Sequence, residues 1–366
     1  MQRYIGIMSG TSMDGIDTVL IETDGQQISL LHSDDYPMPS EIKQQLLNVC
    51  TGQATTLSAI GELDNRLGYL FADAVLQLIQ RFTIDVSSIT AIGSHGQTVF
   101  HSPDSLCPFT MQLGDANIIA ARTQITTIAD FRRKDMAYGG QGAPLVPAFH
   151  RTLFGQQDSS CVVLNIGGMA NLSVLRKGHP VLGYDTGPGN VLMDLWISKN
   201  QNQSYDKNAQ WAKSGNVDIS LLQHLLQEPY LHRSAPKSTG RELFNIEWLE
   251  LMIKGFTLSA QDIQATLLEF SAITIANEVS GYAQGEQPTL LLCGGGAKNP
   301  LLHQRLSDLL PLWQVTTTQE YGVNTDYMEA MAFGWLAHQA IHQLPSNVPE
   351  VTGASKAVSL GVIYRA

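Results

Sequence analysis

The chain has 366 residues, 43% of them hydrophobic and 15% charged, with a formal net charge of -11 and a pI near 5.3. Such a composition belongs to a globular protein and not to a disordered one, and the length suits two domains, each able to bury its own core. The acidic balance repels phosphate backbones and anionic lipid surfaces, so no nucleic acid and no membrane is expected as a partner, whereas a small anion held by loop amides and helix ends stays compatible with it.

In chain order, residues 4–8 and 16–22 read as strands, and Asp24-Gly25 is a hairpin signal leading to a third strand at 28–31. A short helix is expected from Ser40. Leu57, Ile60, Leu63, Leu67, Leu70, Phe71, Ala74 and Leu78 then recur at helical spacing and predict one long amphipathic helix. The strand 89–92 runs into Ser94-His95-Gly96-Gln97-Thr98, read as a loop. No stretch approaches the ~18 apolar residues of a membrane span, and no secretory leader is evident at the amino terminus. Cys50, Cys107, Cys161 and Cys293 lie far apart without a Cys-x-x-Cys pair. Four buried thiols in a reducing cytoplasm are therefore expected, with no zinc or disulfide framework.

The second half starts over in the same order. Strand 161–166 ends in Gly167-Gly168, strand 171–175 follows, and Lys177-Gly178 turns toward a third strand. Ser259 with Asp262 starts a long helix to about Tyr282. Thr289 to Cys293 is a buried strand, Gly294-Gly295-Gly296 follows it, and Asn299-Pro300 opens a helix. Thr325 or Asp326 is expected to cap the last long helix, to Ile341. Two α/β halves with the same opening plan imply a duplicated fold that closes on a ligand cleft.

Several stretches could carry chemistry. Ser9 to Gly15 sets glycines and hydroxyls between two strands, which suits backbone N–H groups approaching a phosphate; a plain long hairpin turn is the alternative. Gly167-Gly168 is its counterpart in the second half, and Gly294 to Gly296 could lie against a flat ring such as adenine or be an ordinary strand-to-helix turn. Gly183 to Asn190 ends a strand and opens a helix near Val191, with Asp185 placed either to take a proton or to cap a turn. His95 and Gln97 offer a hydrogen-bonding surface for a polyhydroxyl ligand. His95 and His101, six apart, do not share a helix face as a metal pair would. The charge run 130–135 is an ordinary solvated face unless Arg132 grips a substrate carboxylate bidentately. Glu329 carries the same choice between surface charge and sugar hydroxyl acceptor.

Together, Gly10 to Asp17, Ser94 to Thr98, Asp185 to Asn190 and Gly294 to Gly296 resemble the anhydro-N-acetylmuramic acid kinases, in order and over essentially the whole chain. The resemblance implies the duplicated two-domain α/β fold of the sugar kinase, Hsp70 and actin superfamily (ribonuclease H-like), with an interdomain ATP cleft. It places the domains at 1–130 plus 341–366 and at 131–340. It implies a cytoplasmic homodimer of bacterial cell-wall recycling that turns 1,6-anhydro-N-acetylmuramic acid, ATP and water into N-acetylmuramic acid 6-phosphate and ADP. By the same resemblance Asp185 is the base. Gly10, Thr11, Ser12, Met13, Asp14, Gly15, Ile16 and Asp17 bind ATP, as do Gly168, Gly294, Gly295, Gly296 and Asn299. His95, Gln97, Arg132 and Glu329 meet the sugar. Mg2+ accompanies the ATP, with Asp14 or Asp17 as the assisting carboxylate and its ligands otherwise unassigned. The nearest rival is a kinase for another 1,6-anhydro sugar such as levoglucosan. A nucleotide-switched binding protein of the Hsp70 kind is the rival of a different class, and the chain has no length left for an appended peptide-binding domain.

Overall fold

A computed structural model describes the chain except for Thr11, Ser12, Asp14, Gln156 and Pro236. The chain forms two units, Met1–Leu153 with Tyr327–Ala366, and Phe154–Asp326.

The first unit contains β1 (Gln2–Met8), β2 (Gly15–Thr23), β3 (Ile28–Pro37), α1 (Ser40–Cys50), α2 (Leu57–Arg81) and β4 (Ile89–Ser94). It continues with β5 (Gln97–Ser102), β6 (Phe109–Leu113), α3 (Ala116–Thr123), β7 (Thr127–Ala129), α4 (Arg133–Ala137) and α5 (Val146–Phe154), which runs to the boundary. The second unit holds β8 (Cys161–Ile166), β9 (Met169–Leu175), β10 (Leu182–Pro188), α6 (Val191–Gln201), α7 (Ile219–Leu225) and α8 (Ile246–Ile253). It ends with α9 (Ala260–Ser280), β11 (Thr289–Cys293), α10 (Pro300–Leu309) and β12 (Gln314–Thr317). The chain then returns to the first unit as α11 (Met328–Ile341), α12 (Pro349–Thr352) and β13 (Val362–Tyr364).

The duplication expected from the sequence is present in the strand topology. In the first unit β1, β2 and β3 form an antiparallel meander, β4 pairs parallel with β1, and β7 pairs parallel with β4. In the second unit β8, β9 and β10 form the same meander, with β11 parallel to β8 and β12 parallel to β11. The first sheet adds β13 antiparallel to β7. Asp24-Gly25 makes the β2–β3 turn: Gly25 sits at φ +96°, and Asp24 Oδ1 accepts from the N–H groups of Gln26 and Gln27 at 3.0 and 2.8 Å.

Apolar burial explains the layers. Ile5, Ile7, Ile16 and Leu20 of the first sheet pack with Leu63, Leu67, Phe71, Ala74 and Leu78 of α2 in one cluster. Leu57, placed at the start of that stripe by its spacing, is 89% exposed, because Thr56 caps α2 through Ala59 N–H and the first turn projects beyond the sheet-facing core. β11 is buried along its whole length between β8 and β12, as a central parallel strand should be.

The units divide after Leu153 and Asp326, whereas the sequence placed the crossings near 131 and 340. The difference is carried by α4, α5 and α11. α11 lies on β1, β2 and β4, and glycines in the strands permit the approach. A Cβ on Gly6 would stand 1.9 Å from Ala330 O, and one on Gly93 would stand 2.0 Å from Phe333 O. α11 also starts without a side-chain cap: Tyr327 holds the cap position, and neither Thr325 nor Asp326 caps it.

Candidate active site

In the second unit three glycine loops meet. A Cβ on Gly189 would lie 2.5 Å from Gly167 O, and one on Gly296 would lie 2.3 Å from Ile166 Cγ2. Gly294 has φ +77°, and its Cβ would strike Asn165 Oδ1 at 2.3 Å. Backbone bonds close the knot. Gly168 O accepts from Gly189 N at 2.9 Å and Val191 N at 3.0 Å, while Asn190 Nδ2 donates to Ile166 O and Gly167 O at 3.2 and 3.0 Å. The β8–β9 loop, the β10–α6 loop and the β11–α10 loop thus share one small-residue surface. A side chain is excluded at Gly189, Gly294 and Gly296, whereas Gly168 and Gly295 have room for one, so it is at the first three positions that close packing of the loops requires glycine. Asn299 stands just beyond, with Oδ1 accepting from Leu301 N and Leu302 N at 3.1 and 3.0 Å, so its carboxamide oxygen caps α10.

Asp185 lies on β10, at the edge of the second sheet, where the pairing with β9 shifts register before Gly187. Its main chain is held on both sides: N–H donates to Lys237 O at 3.0 Å, and C=O accepts from Tyr230 Oη at 2.7 Å. Of its carboxylate, Oδ2 accepts from Ser238 Oγ at 2.9 Å and Thr239 N at 3.0 Å. Oδ1 has no hydrogen-bond partner among the described residues. Burial pushes the carboxyl above the usual carboxylate range, the two donors work against that push, and the charge of Glu242 adds to it. One oxygen is anchored and the other is open, with proton affinity raised, as a general base requires.

The first unit presents a second cluster. Ser9 Oγ donates to Gln97 Oε1 at 2.6 Å in the interior, and Gln97 Nε2 reaches Gly10 O at 3.4 Å, joining β5 to the loop after β1. Gln97 belongs to β5 and not to a loop, so only His95 and Gly96 connect β4 to β5. Arg132 donates from Nε and Nη2 to His95 Nε2 at 3.1 and 2.8 Å and from Nη1 to Gly142 O at 2.8 Å. Burial, then the Arg132 charge, holds His95 well below its ordinary value, so the ring is neutral, accepts at Nε2 and carries its proton on Nδ1. The Arg132 guanidinium is lowered to about 10 by burial, against the opposing influence of Glu329. Burial raises Glu329, and Arg132 counteracts it. Three of the guanidinium's five N–H groups have partners among the described residues, which leaves two for a further acceptor.

The chain matches the family model for anhydro-N-acetylmuramic acid kinase over residues 2–366. It belongs to that family. A relative bearing that name from Vibrio vulnificus (strain YJ016) is 63% identical over 363 residues, 99% of this chain and 98% of the relative. One from Photobacterium profundum is 60% identical, covering 100% and 99% of the two chains. One from Pasteurella multocida is 56% identical, covering 99% and 96%. A ROK family glucokinase from Streptomyces griseus, solved in complex with glucose and AMPPNP, aligns over 92% of this chain and 99% of its own at 12% identity and a TM-score of 0.41. The assignment rests on the sequence relatives and not on this distant likeness.

For this kinase, the sequence-predicted residues divide by environment. His95 and Arg132 are in direct contact, Glu329 shares their electrostatic surroundings, and Gln97 adjoins them through Ser9 and Gly10. Met13 and Ile16 are core side chains, 3% and 0% exposed, so only their backbones can meet a nucleotide. Gly10 has open space around its Cα, and Gly15 begins β2. Thr11, Ser12 and Asp14 lie outside the described residues. Asp17 stands opposite Asp35 on the β2–β3 pair, and the phenol of Tyr327 lies near both carboxylates. Both are oxygen donors of the kind a hard divalent cation takes, but among the described residues no group of three or more His, Cys, Asp or Glu could hold one.

Two sets of residues escape a reading of the sequence. Lys237, Ser238 and Thr239 surround Asp185 from more than 50 positions away. Their one local signal is the glycine- and hydroxyl-bearing string Lys237-Ser238-Thr239-Gly240. Asp135 falls in the charge run expected to be a solvated face, yet it is fully buried and accepts from Gly142 N, Asn347 Nδ2 and Thr352 Oγ1 at 2.8, 2.7 and 2.8 Å.

Proposed function

We propose that this kinase hydrolytically opens 1,6-anhydro-N-acetylmuramic acid and phosphorylates O6, giving N-acetylmuramic acid 6-phosphate and ADP. The observation that carries the reading is the divided carboxylate of Asp185, with Oδ2 anchored by two donors and Oδ1 open. The anhydro sugar has O6 tied to C1, so it offers no hydroxyl there for an ordinary kinase base to deprotonate. Oδ1 instead takes a proton from water as that water attacks C1. The C1–O6 bond breaks, and O6, carrying the electron pair, attacks the γ-phosphorus in line while ADP departs. One base serves both hydrolysis and phosphorylation.

Arg132, oriented by His95, holds the lactyl carboxylate with its two remaining N–H groups, and Gln97 and Glu329 receive sugar hydroxyl or amide groups. Gly168, Gly294 to Gly296 and Asn299, together with Gly10 to Asp17, are the residues assigned to ATP; the N–H groups of Gly294 and Asn299 are already given to Thr325 O and Gly296 O, so backbone donation to phosphate falls to the other glycines. Mg2+ bound with ATP would neutralise phosphate charge, and of the two candidate carboxylates, Asp14 and Asp17, Asp17 is the one among the described residues. A role in cell-wall recycling, a cytoplasmic location and a homodimeric state complete the proposal; no described helix is long and apolar enough to cross a membrane.

Mass spectrometry of the product made in oxygen-18 water tests the chemistry. The expected product carries label at C1 and phosphate at O6. Asp185→Asn should fold and bind ATP yet lose sugar-dependent ADP release on the order of 1,000-fold or more, within the usual range for loss of a general base. A phosphorylated sugar with its anhydro bridge intact, or near-normal turnover by Asp185→Asn, would overturn the mechanism.

A further inference from the structure

Behind Asp185 lies a partly buried ionic network that the reaction as written does not use. The Lys237 side chain is only 2% exposed. Its Nζ donates to Glu278 Oε1 at 2.6 Å and to Leu231 O at 3.0 Å, and it stands 5.2 Å from the centroid of the Tyr230 ring. Glu278 Oε2 accepts from Tyr184 Oη at 2.9 Å, and that hydroxyl is 2.7 Å from Tyr282 Oη. Burial raises the Tyr184 phenol, with the Tyr282 hydroxyl and the Glu278 charge adding to it, so the phenol stays protonated and donates to the carboxylate.

A buried ion pair is weak evidence for stability, since desolvation offsets much of its attraction, so its retention calls for another account. Each arm of this one ends at Asp185. Lys237 is the residue whose carbonyl receives the Asp185 N–H, and the next two residues supply both donors to Oδ2. Tyr230, which packs against the ammonium, donates its hydroxyl to the Asp185 carbonyl. Tyr184 precedes Asp185 on β10. The unpaired edge of β10 is thereby closed by a strap, residues 237–239, and the strap's only buried charged anchor among its described contacts is Lys237 on Glu278.

We propose that Lys237 and Glu278 are positioning residues for Asp185: their ion pair pins the 237–239 strap so that both donors fall on Oδ2 and Oδ1 is left to face the water. The inference rests on Asp185 acting as the base. With the strap loosened, Oδ2 loses its donors and the carboxylate rotates. The proton then rests on either oxygen, and the charged form, no longer favoured by those hydrogen bonds, becomes harder to reach.

The test is steady-state ADP release from ATP and 1,6-anhydro-N-acetylmuramic acid across pH for Lys237→Met, Lys237→Arg, Glu278→Gln and Ser238→Ala, with Asp185→Asn alongside. Lys237→Met should lower kcat on the order of 100-fold, the scale of a misplaced catalytic group, with KM for ATP little changed. The acidic limb of its kcat profile should move to higher pH. Lys237→Arg, which keeps the charge, should restore part of the loss. Ser238→Ala removes one donor without touching the buried pair; it keeps folding intact and should lower kcat about tenfold with the limb moved the same way. Wild-type kcat and pH limb in Ser238→Ala and Lys237→Met would overturn the proposal, as would a loss equal at every pH. If Asp185→Asn itself turns over normally, the base assignment fails first; an inactive Asp185→Asn beside unaltered strap variants refutes the positioning role alone.

Discussion

Asp135→Asn is the perturbation that most directly connects the buried frame of the first unit to its proposed sugar-binding cluster. Asp135 is fully buried and accepts three hydrogen bonds: Gly142 N–H on Oδ2, and Asn347 Nδ2 and Thr352 Oγ1 on Oδ1. Asparagine has nearly the same shape but turns one acceptor into an NH2 donor. The least costly placement keeps the carbonyl on the side with two donors and sets the NH2 against Gly142 N–H. One bond is then lost and two donors are left facing each other without an acceptor. A hydrogen bond to a charged group contributes roughly 1.5–3 kcal/mol, and a buried unsatisfied donor costs about 1–3 kcal/mol, so the variant should lose about 3 kcal/mol of stability.

The functional consequence follows through the same glycine. Gly142 O is the acceptor for Arg132 Nη1 at 2.8 Å, so a shift of Gly142 releases one of the bonds that orient the guanidinium. Urea unfolding followed by tryptophan fluorescence measures the first effect, and separate KM values for sugar and ATP measure the second. The KM for 1,6-anhydro-N-acetylmuramic acid should rise on the order of tenfold, equal to about 1.4 kcal/mol of lost carboxylate binding, while that for ATP stays close to wild type. An unchanged unfolding midpoint, or equal changes in both KM values, would refute the reasoning.

Gly6→Ala places a methyl 1.9 Å from Ala330 O and should push α11 off β1 at a cost of about 3 kcal/mol, the upper end for overpacking. Gly61→Ala on α2 meets nothing within 4 Å and should stabilise by up to about 1 kcal/mol. Equal thermal midpoints for these two variants would contradict the close helix-on-sheet contact. Burial lowers the His150 imidazole to about 3, below its ordinary value of 6.5, so the folded state disfavours its proton. Stability from this group is therefore present above pH 6.5 and lost as pH falls toward 3. It should amount to about 2 kcal/mol between pH 7 and 5, and His150→Phe should flatten that part of the urea-midpoint profile. A wild-type midpoint independent of pH over this range would contradict it.

Much of the fold was legible in sequence because it is written in local patterns. The α2 stripe, the Asp24-Gly25 hairpin, the Ser259 cap of α9 and the Asn299-Pro300 start of α10 each depend on residues within a few positions of one another. The repeated order of strand, loop, strand and turn was legible for the same reason, although its letters barely repeat. Asp185 and the glycine loops stood out because small-residue loops follow apolar runs in both halves in the same order; any one of them alone reads equally well as an ordinary turn.

What only the tertiary structure decided concerns groups distant in sequence and close in space. The placement of α11 on the first sheet turns on Gly6 and Gly93, two single residues inside otherwise ordinary strands whose missing side chains matter only when a helix lies about 2 Å from where a Cβ would be. The pairing of Arg132 with His95, the burial of Asp135 and the strap on Asp185 join positions 37 to 217 residues apart. The sequence by itself supplied the candidates proposed for proton transfer, phosphate contact and carboxylate binding, each beside an ordinary structural alternative. The tertiary structure decided which oxygen of Asp185 is held and which is open, and which N–H groups of Arg132 are already taken. Hydrogen-bond direction and burial depend on three-dimensional neighbours, and no local pattern encodes them.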